Sequence, residues 1–325
     1  MDTPRIRILA TGGTIAGSAG SAIERGYRPG QIGVAELLGA AETLGLDAAF
    51  AGRDIAAIGS QDIGWPQWDA LHREIVAAMA DDGVDGVIVT HGTDTAEETA
   101  FLLDLTLPAG KPVVLVGAMR PADAVGSDGM RNLANAVRVA GDTAAAGRGV
   151  LVVMSDQVFA AIDVRKAATG GAEAFRGFPR GPIGNVTPTS LDWFGPPDRS
   201  GRGARFAWPD ALPKVAILHA YAGMDADAVG CSLGNGAAGL VLAGLGQGNA
   251  PGPVIEALAI SGVPVVRSSR VDQGSVDRNL EVDDDRYGFV AARGLGPAKS
   301  RILLQVLLAS GMRDPARMQE EFDRR

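Results

Sequence analysis

Short apolar runs alternate with stretches of helical spacing through the first half of the chain. Apolar runs of this length, rich in valine and isoleucine, are typical of strands buried on both faces of a parallel sheet. The apolar runs are Arg5–Ala10, Asp54–Gly59, Gly86–Thr90, Pro112–Val116 and Gly149–Met154, and the helical stretches are Val34–Ala41, Pro66–Met79, Ala96–Leu105 and Asp128–Ala145. The pattern predicts right-handed βαβ units and an α/β fold on a doubly wound, mostly parallel sheet.

The alternation weakens after residue 156 and resumes nearer the carboxyl end. Between the two parts, Leu191–Pro213 is rich in proline and charge, which is typical of a linker. The second set of strands is predicted at Lys214–Ala220, Gly239–Ala243 and Pro264–Arg267, and its helices at Asp225–Cys231, Pro253–Ser261, Pro297–Ser310 and Pro315–Phe322. We therefore expect a larger N-terminal α/β domain over residues 1–190, a linker over 191–213 and a smaller C-terminal α/β domain over 214–325.

Composition narrows the classes of function. The chain has 325 residues, 46% of them apolar, which suits two domains with sizeable cores. Its net charge of −8 argues against a nucleic-acid partner, because phosphate binding draws on an excess of lysine and arginine. No apolar run approaches the ~18 residues that span a bilayer, so we expect no membrane partner.

The amino terminus and the cysteine and histidine content predict compartment and cofactors. The chain enters its first apolar run at once, so a cytoplasmic protein is expected, or a periplasmic one if a leader has been removed. Cys231 is the only cysteine, which excludes an internal disulfide. Together with three histidines it forms no zinc-binding spacing, so no metal is expected.

The first stretch with candidate chemistry is Ile8–Gly17, ILATGGTIAG, at the predicted end of the first strand. Adjacent glycines adopt backbone angles that other residues avoid and leave N–H groups bare. A hydroxyl such as that of Thr14 beside bare N–H donors is the combination that acyl transfer requires. The alternative is a structural glycine-rich turn. A dinucleotide site is disfavoured because the motif is not G-x-G-x-x-G.

A second stretch, Thr90–Thr99 (THGTDTAEET), follows another predicted strand. Thr93, Asp94 or Thr95 could cap the next helix, but capping does not require three such residues in a row. The carboxyl ends of parallel strands meet at one edge of a sheet, so the hydroxyls of Thr14 and Thr93 could converge there.

A threonine nucleophile needs a group that takes its proton. His91 precedes a glycine in a tight turn, where a structural role is the simpler interpretation. Lys166 could act as a base beside Thr93 with Asp94 orienting it, although a solvated surface charge is the alternative. The polar turn Gly59–Asp62 could bind the charged groups of a small zwitterion.

Together these motifs resemble the bacterial L-asparaginase/glutaminase family, most closely its type II branch. The resemblance covers nearly the whole chain in the family's order. Besides ILATGGTIAG and Tyr27, the shared motifs are GSQD from Gly59, VTHGTDTAEETAFLLDL from Val89, VGAMRPADAVGSDG from Val116, VLVVMSD from Val150, VVRSSRV from Val265 and EVDDDRYGFV from Glu281.

The resemblance implies the catalytic roles. Thr14 would be the nucleophile acylated by the substrate amide, and Tyr27, on the family's mobile lid, would support it. Thr93 and Lys166, with Asp94, would form a second triad that moves protons and activates the water for deacylation. No cofactor is implied. The implied reaction converts L-asparagine, and more weakly L-glutamine, to the acid and ammonia.

The resemblance also implies the substrate-binding residues and the assembly. Ser60 and Gln61 would hold the substrate carboxylate and amino group, and Asp94 would pair with the ammonium. Asn249 and Glu281 would reach into a neighbour's pocket in a homotetramer built as a dimer of intimate dimers.

Two further features follow from the comparison with the family pattern. Gln247 stands where asparagine is expected, close to Asn249. The segment Ser18–Gly26 is predicted to be a lid that closes over Thr14 when substrate binds.

The competing hypotheses are a non-catalytic amino-acid binding protein on the same fold and a nucleotide-dependent enzyme.

Overall fold

The computed structural model describes residues 3–18, 30–197 and 204–324. The chain divides into two compact units, Met1–Arg205 and Phe206–Arg325. Tyr27 and the predicted lid, apart from Ser18, lie outside the described residues.

The first unit contains an eight-stranded sheet and a separate two-stranded one. Its strands are β1 (Arg5–Gly12), β2 (Ala49–Ile58), β3 (Gly86–Thr90), β4 (Val113–Val116), β5 (Val150–Met154), β6 (Gln157–Ala160), β7 (Val164–Lys166), β8 (Phe175–Gly177), β9 (Gly184–Thr187) and β10 (Ser190–Trp193). The large sheet has the order β10-β9-β6-β5-β4-β3-β1-β2, and β7 pairs with β8. All five strands predicted in this half are present, and they pair in parallel. The prediction was wrong in one respect: β2 begins at Ala49 rather than Asp54 and, as the edge strand, is mostly exposed instead of buried on both faces.

Helices cover both faces of this sheet. They are α1 (Val34–Thr43), α2 (Trp65–Ala80), α3 (Ala96–Thr106) and α4 (Gly129–Ala140). One core joins α1 and α4 to strand residues such as Ile8, whereas the other joins α2 and α3 to strand residues such as Leu9. Neighbouring strand residues point to opposite faces, so strands between two helix layers must be apolar throughout. The predicted doubly wound α/β fold is confirmed.

Three local features differ from the sequence prediction. The helix predicted over Asp128–Ala145 ends at Ala140, because Gly141 follows and the Asp142 carboxylate accepts a hydrogen bond from Ala144 N, starting a separate 3-10 turn. The weakly patterned region after residue 156 forms antiparallel strands. Ser155 and Asp156, with φ of 53° and 63°, make the two-residue turn that joins β5 to β6. Strand β10 includes the first residues of the predicted linker, 191–193.

The second unit is a smaller α/β layer. Its parallel sheet has the order β11 (Val215–His219), β12 (Gly239–Gly244), β13 (Val265–Ser269) and β14 (Val290–Ala291). Its helices are α5 (Asp227–Gly234), α6 (Gly252–Ala259), α7 (Asp284–Tyr287), α8 (Pro297–Ala309) and α9 (Pro315–Asp323). None of the helices in the described ranges has the length and apolar character that crossing a bilayer requires.

Candidate active site

The candidate site of the first unit lies where three parallel strands end. Thr14 opens a 3-10 turn just after β1, and Ser60 opens another just after β2. Thr93 follows β3 by three residues. All three side chains belong to residues that are at least 94% buried, so each is held by the surrounding structure. This edge of the sheet is where ligands bind in open α/β folds.

Glycines bring the first and third of these loops into contact. Gly12 and Gly13 have φ of 100° and 80°, in the left-handed region that side chains disfavour. A Cβ atom on Gly13 would lie 2.4 Å from the Cα atom of Gly92. The turn that carries Thr14 therefore rests directly against the loop that carries Thr93, and only glycine permits that approach.

Lys166 lies beside Thr93 and Asp94. Its Nζ atom donates hydrogen bonds to Thr93 Oγ1 at 2.8 Å and to Asp94 Oδ1 at 2.5 Å. Only 17% of the lysine side chain is exposed, against 59% for that of Asp94. Lys166 ends β7, a short strand that the hydrophobic pattern did not reveal. The alternative of a solvated surface lysine is wrong.

Ser60 is bound to the loop that carries Asp94. Its hydroxyl oxygen accepts a hydrogen bond from Asp94 N at 3.2 Å, and its carbonyl oxygen accepts one from Thr95 Oγ1 at 2.8 Å. Gln61 is exposed, and its side-chain amide donates to Asp62 Oδ2 at 3.1 Å. The structure thus brings Ser60, Asp94 and Lys166 together.

Thr95 is the residue whose role the sequence did not reveal. It stands at the N-cap position of α3, one of three candidates for capping, yet its side chain makes no capping hydrogen bond. The only available signal was the run of three polar residues, which exceeds what capping needs.

His91 is a structural residue of the same loop. Burial lowers the pKa of its imidazole to about 4, so the ring is neutral at physiological pH. Its Nε2 atom lies 2.9 Å from Thr99 Oγ1, which accepts a hydrogen bond from Trp68 Nε1. Because Gly92 O only accepts, the neutral ring carries its proton on Nδ1, which donates to Gly92 O at 2.7 Å. Nε2 therefore accepts a hydrogen bond from the Thr99 hydroxyl.

The other predicted binding residues lie in the second unit. Asn249 Nδ2 donates to Glu281 Oε2 at 3.1 Å, so these two side chains are neighbours. Gln247, the departure from the family pattern, accepts a hydrogen bond from Asp277 N at its Oε1 atom, at 2.9 Å. Its side chain therefore ties the loop of Asn249 to the chain segment that leads to Glu281.

A buried ion pair lies beneath these loops. Arg267 and Asp284 have fully buried side chains and form two hydrogen bonds, at 2.6 and 2.7 Å. The guanidinium also donates to Gln247 O at 2.8 Å and to Asp277 O at 3.2 Å. A buried charge pair with its remaining donors satisfied is a rigid support for the two loops.

The described residues include no group of three or more histidine, cysteine, aspartate or glutamate side chains arranged to hold a metal ion. The chemistry available at the strand ends is that of hydroxyls, an ammonium, a carboxylate and backbone N–H groups. These are the groups that nucleophilic acyl transfer uses.

Comparison with known proteins identifies the family of the chain. The family model described as Asparaginase, N-terminal matches residues 5–199, and that described as Glutaminase/Asparaginase C-terminal domain matches residues 214–322. The chain is 42% identical to "Probable L-asparaginase periplasmic" of Haemophilus influenzae, over 99% of this chain and 93% of the relative.

Two further relatives are similar over almost their whole length. "L-asparaginase 2" of Escherichia coli is 42% identical over 98% of this chain and 93% of the relative. "Glutaminase-asparaginase" of Pseudomonas fluorescens is 38% identical over 97% of this chain and 89% of the relative. The chain belongs to the L-asparaginase/glutaminase family and is type II-like.

Proposed function

We propose that this protein hydrolyses L-asparagine, and L-glutamine more slowly, to the corresponding acid and ammonia. Thr14 Oγ1 attacks the amide carbon, the C–N bond breaks, and ammonia leaves with the hydroxyl proton. Water then attacks the resulting ester, the bond from the acyl carbon to Thr14 Oγ1 breaks, and the hydroxyl regains its proton.

The observation that carries the proposal is the cluster of Lys166, Thr93 and Asp94. Two short hydrogen bonds place the ammonium between the hydroxyl and the carboxylate. A set of this kind can hold a water molecule and move its proton during deacylation. In the proposal, the Thr93 N–H helps to stabilise the oxyanion, and Tyr27 supports Thr14.

The other polar side chains of the site are proposed to bind the charged groups of the substrate. The substrate is a zwitterion, so its site needs donors for a carboxylate and a carboxylate for an ammonium. Ser60 and Gln61 are assigned to the carboxylate and amino group, and Asp94 pairs with the ammonium. The relatives named for asparaginase and glutaminase activity support asparagine and glutamine as the substrates.

Ammonia release from L-asparagine and L-glutamine, measured in a coupled assay, tests the proposal. We expect turnover with both amides, faster with asparagine. Thr14→Ala and Thr93→Ala should each lower kcat by several orders of magnitude, because removal of one member disables a catalytic unit.

Circular dichroism spectra like that of the wild type serve as the folding control for these variants. Retention of most activity in either variant would contradict its assigned role. Tight binding of aspartate or asparagine without ammonia release would instead support a non-catalytic binding protein.

We further propose a homotetramer in which Asn249 and Glu281 complete a neighbour's site. Their contact with each other, supported by the buried Arg267–Asp284 pair, is consistent with two side chains that act together. A cytoplasmic location stays a prediction, and one relative is named as periplasmic.

A further inference from the structure

The hydroxyl of Thr95 does not make the hydrogen bond that is usual at its position in a helix. A threonine at an N-cap normally accepts a hydrogen bond from an N–H group of the first helical turn. Thr95 is at the N-cap of α3, but its side chain makes no such bond and instead donates to Ser60 O at 2.8 Å. The first turn of α3 carries Glu97 and Glu98, whose charges favour the positive end of the helix without a cap.

This bond joins two loops that follow different strands. Ser60 follows β2, and Thr95 lies five residues beyond the end of β3. Strands β2 and β3 are not neighbours, because β1 lies between them. The sheet hydrogen bonds therefore do not by themselves fix one loop relative to the other.

A second bond joins the same loops one residue earlier. Asp94 N donates to Ser60 Oγ at 3.2 Å, so adjacent residues hold both the side chain and the carbonyl of Ser60. The loops also touch at Gly92, where an added Cβ atom would lie 2.7 Å from Ser60 Oγ. Ser60 and Asp94 thus have little freedom to move relative to each other.

We propose that Thr95 is a positioning residue that sets the distance between the carboxylate subsite at Ser60 and the ammonium subsite at Asp94. The inference rests on the proposed function and adds a specificity role to it. A substrate that carries both charges at the correct separation gains binding energy from both subsites. An amide that lacks the ammonium gains no binding energy from their alignment.

Thr95→Val and Thr95→Ser form the matched test. Valine keeps the shape and removes the hydroxyl, whereas serine keeps the hydroxyl and removes the methyl group. We expect Thr95→Val to raise KM for L-asparagine about tenfold with a smaller change in kcat, as loss of one hydrogen bond in the binding site would do. Thr95→Ser should stay close to the wild type.

A second substrate distinguishes loss of the proposed positioning role from a general loss of activity in the variant. Succinamate has the same amide and carboxylate as asparagine but no ammonium. In Thr95→Val, the ratio of kcat/KM for asparagine to that for succinamate should fall, because asparagine alone depends on the alignment. Thr95→Ala is a second variant, and its ratio should fall in the same direction.

Three results would overturn the inference. One is an unchanged KM and an unchanged substrate ratio in Thr95→Val. Another is an equal loss in the serine and valine variants, which would make the methyl group the important part. The third is failure of both Thr95→Val and Thr95→Ala to fold while the serine variant folds, which would assign the hydroxyl a structural role. Absence of ammonia release by the wild type would instead refute the proposed function.

Discussion

At the scale of single residues, three threonines of one short stretch make different side-chain contacts. The Thr93 hydroxyl accepts from Lys166, that of Thr95 donates to Ser60 O, and that of Thr99 links Trp68 to His91. The side chains are chemically identical, so the partner alone decides the role of each. Lys166, Ser60 and Trp68 lie 73, 35 and 31 residues away from their threonines, so local sequence could not assign these partners.

The buried imidazole of His91 makes folding stability depend on pH. Its pKa is about 4 in the folded protein, against 6.5 as its ordinary value. The unfolded chain therefore binds more protons in this range, and stability falls as the pH drops from 6.5 towards 4. We expect a loss of about 3 kcal/mol in the free energy of unfolding from this group.

Urea unfolding at pH 7 and pH 4.5 measures this effect. His72 also has its pKa lowered to about 4 by burial, so a matched variant is needed to isolate His91. His91→Asn keeps a hydrogen-bonding group but does not titrate, and its stability should change less between the two pH values. Equal pH dependence in the variant and the wild type would contradict the assignment.

At the scale of elements, the parallel strands follow from the hydrophobic pattern, whereas the antiparallel extension does not. Strands β1, β3, β4 and β5 are enclosed by two helix layers, so burial on both faces leaves continuous apolar runs. Strand β2, at the edge of the sheet, is mostly exposed. Strands β6, β9 and β10 have only four residues each, and none of them is buried along its whole length. Such short, partly exposed strands resemble loops in sequence.

The buried ion pair between β13 and α7 is expected to stabilise the second unit. Asp284→Asn leaves the Arg267 charge buried without its carboxylate, which should lower the free energy of unfolding by about 3–5 kcal/mol. Asp323→Asn is the control, because Asp323 pairs with Arg293 where 44% of the carboxylate side chain is exposed. The free energy of unfolding should fall much less in this control variant. Chemical unfolding of both variants measures the difference, and similar losses would contradict the prediction.

At the scale of the whole molecule, the proposed assembly can be tested by mass. Four chains of 33.3 kDa give about 133 kDa, which light scattering coupled to gel filtration resolves from a monomer or dimer. We expect the tetramer, and we expect activity per chain to fall when dilution dissociates it, because Asn249 and Glu281 then leave the neighbour's site. An active monomer would refute this role.

The sequence by itself determined the family, the α/β fold class and the residue types of the site. Periodicity reports which faces are buried, and glycine, threonine and lysine at fixed places report the chemistry. Only the tertiary structure decided that Lys166 reaches Thr93 and Asp94, that Thr95 binds Ser60 rather than capping its helix, and that Arg267 pairs with Asp284. The physical reason is that each of these hydrogen bonds joins residues on different elements or loops. Their separation is set by how strands and helices pack, and no local pattern of residues encodes it.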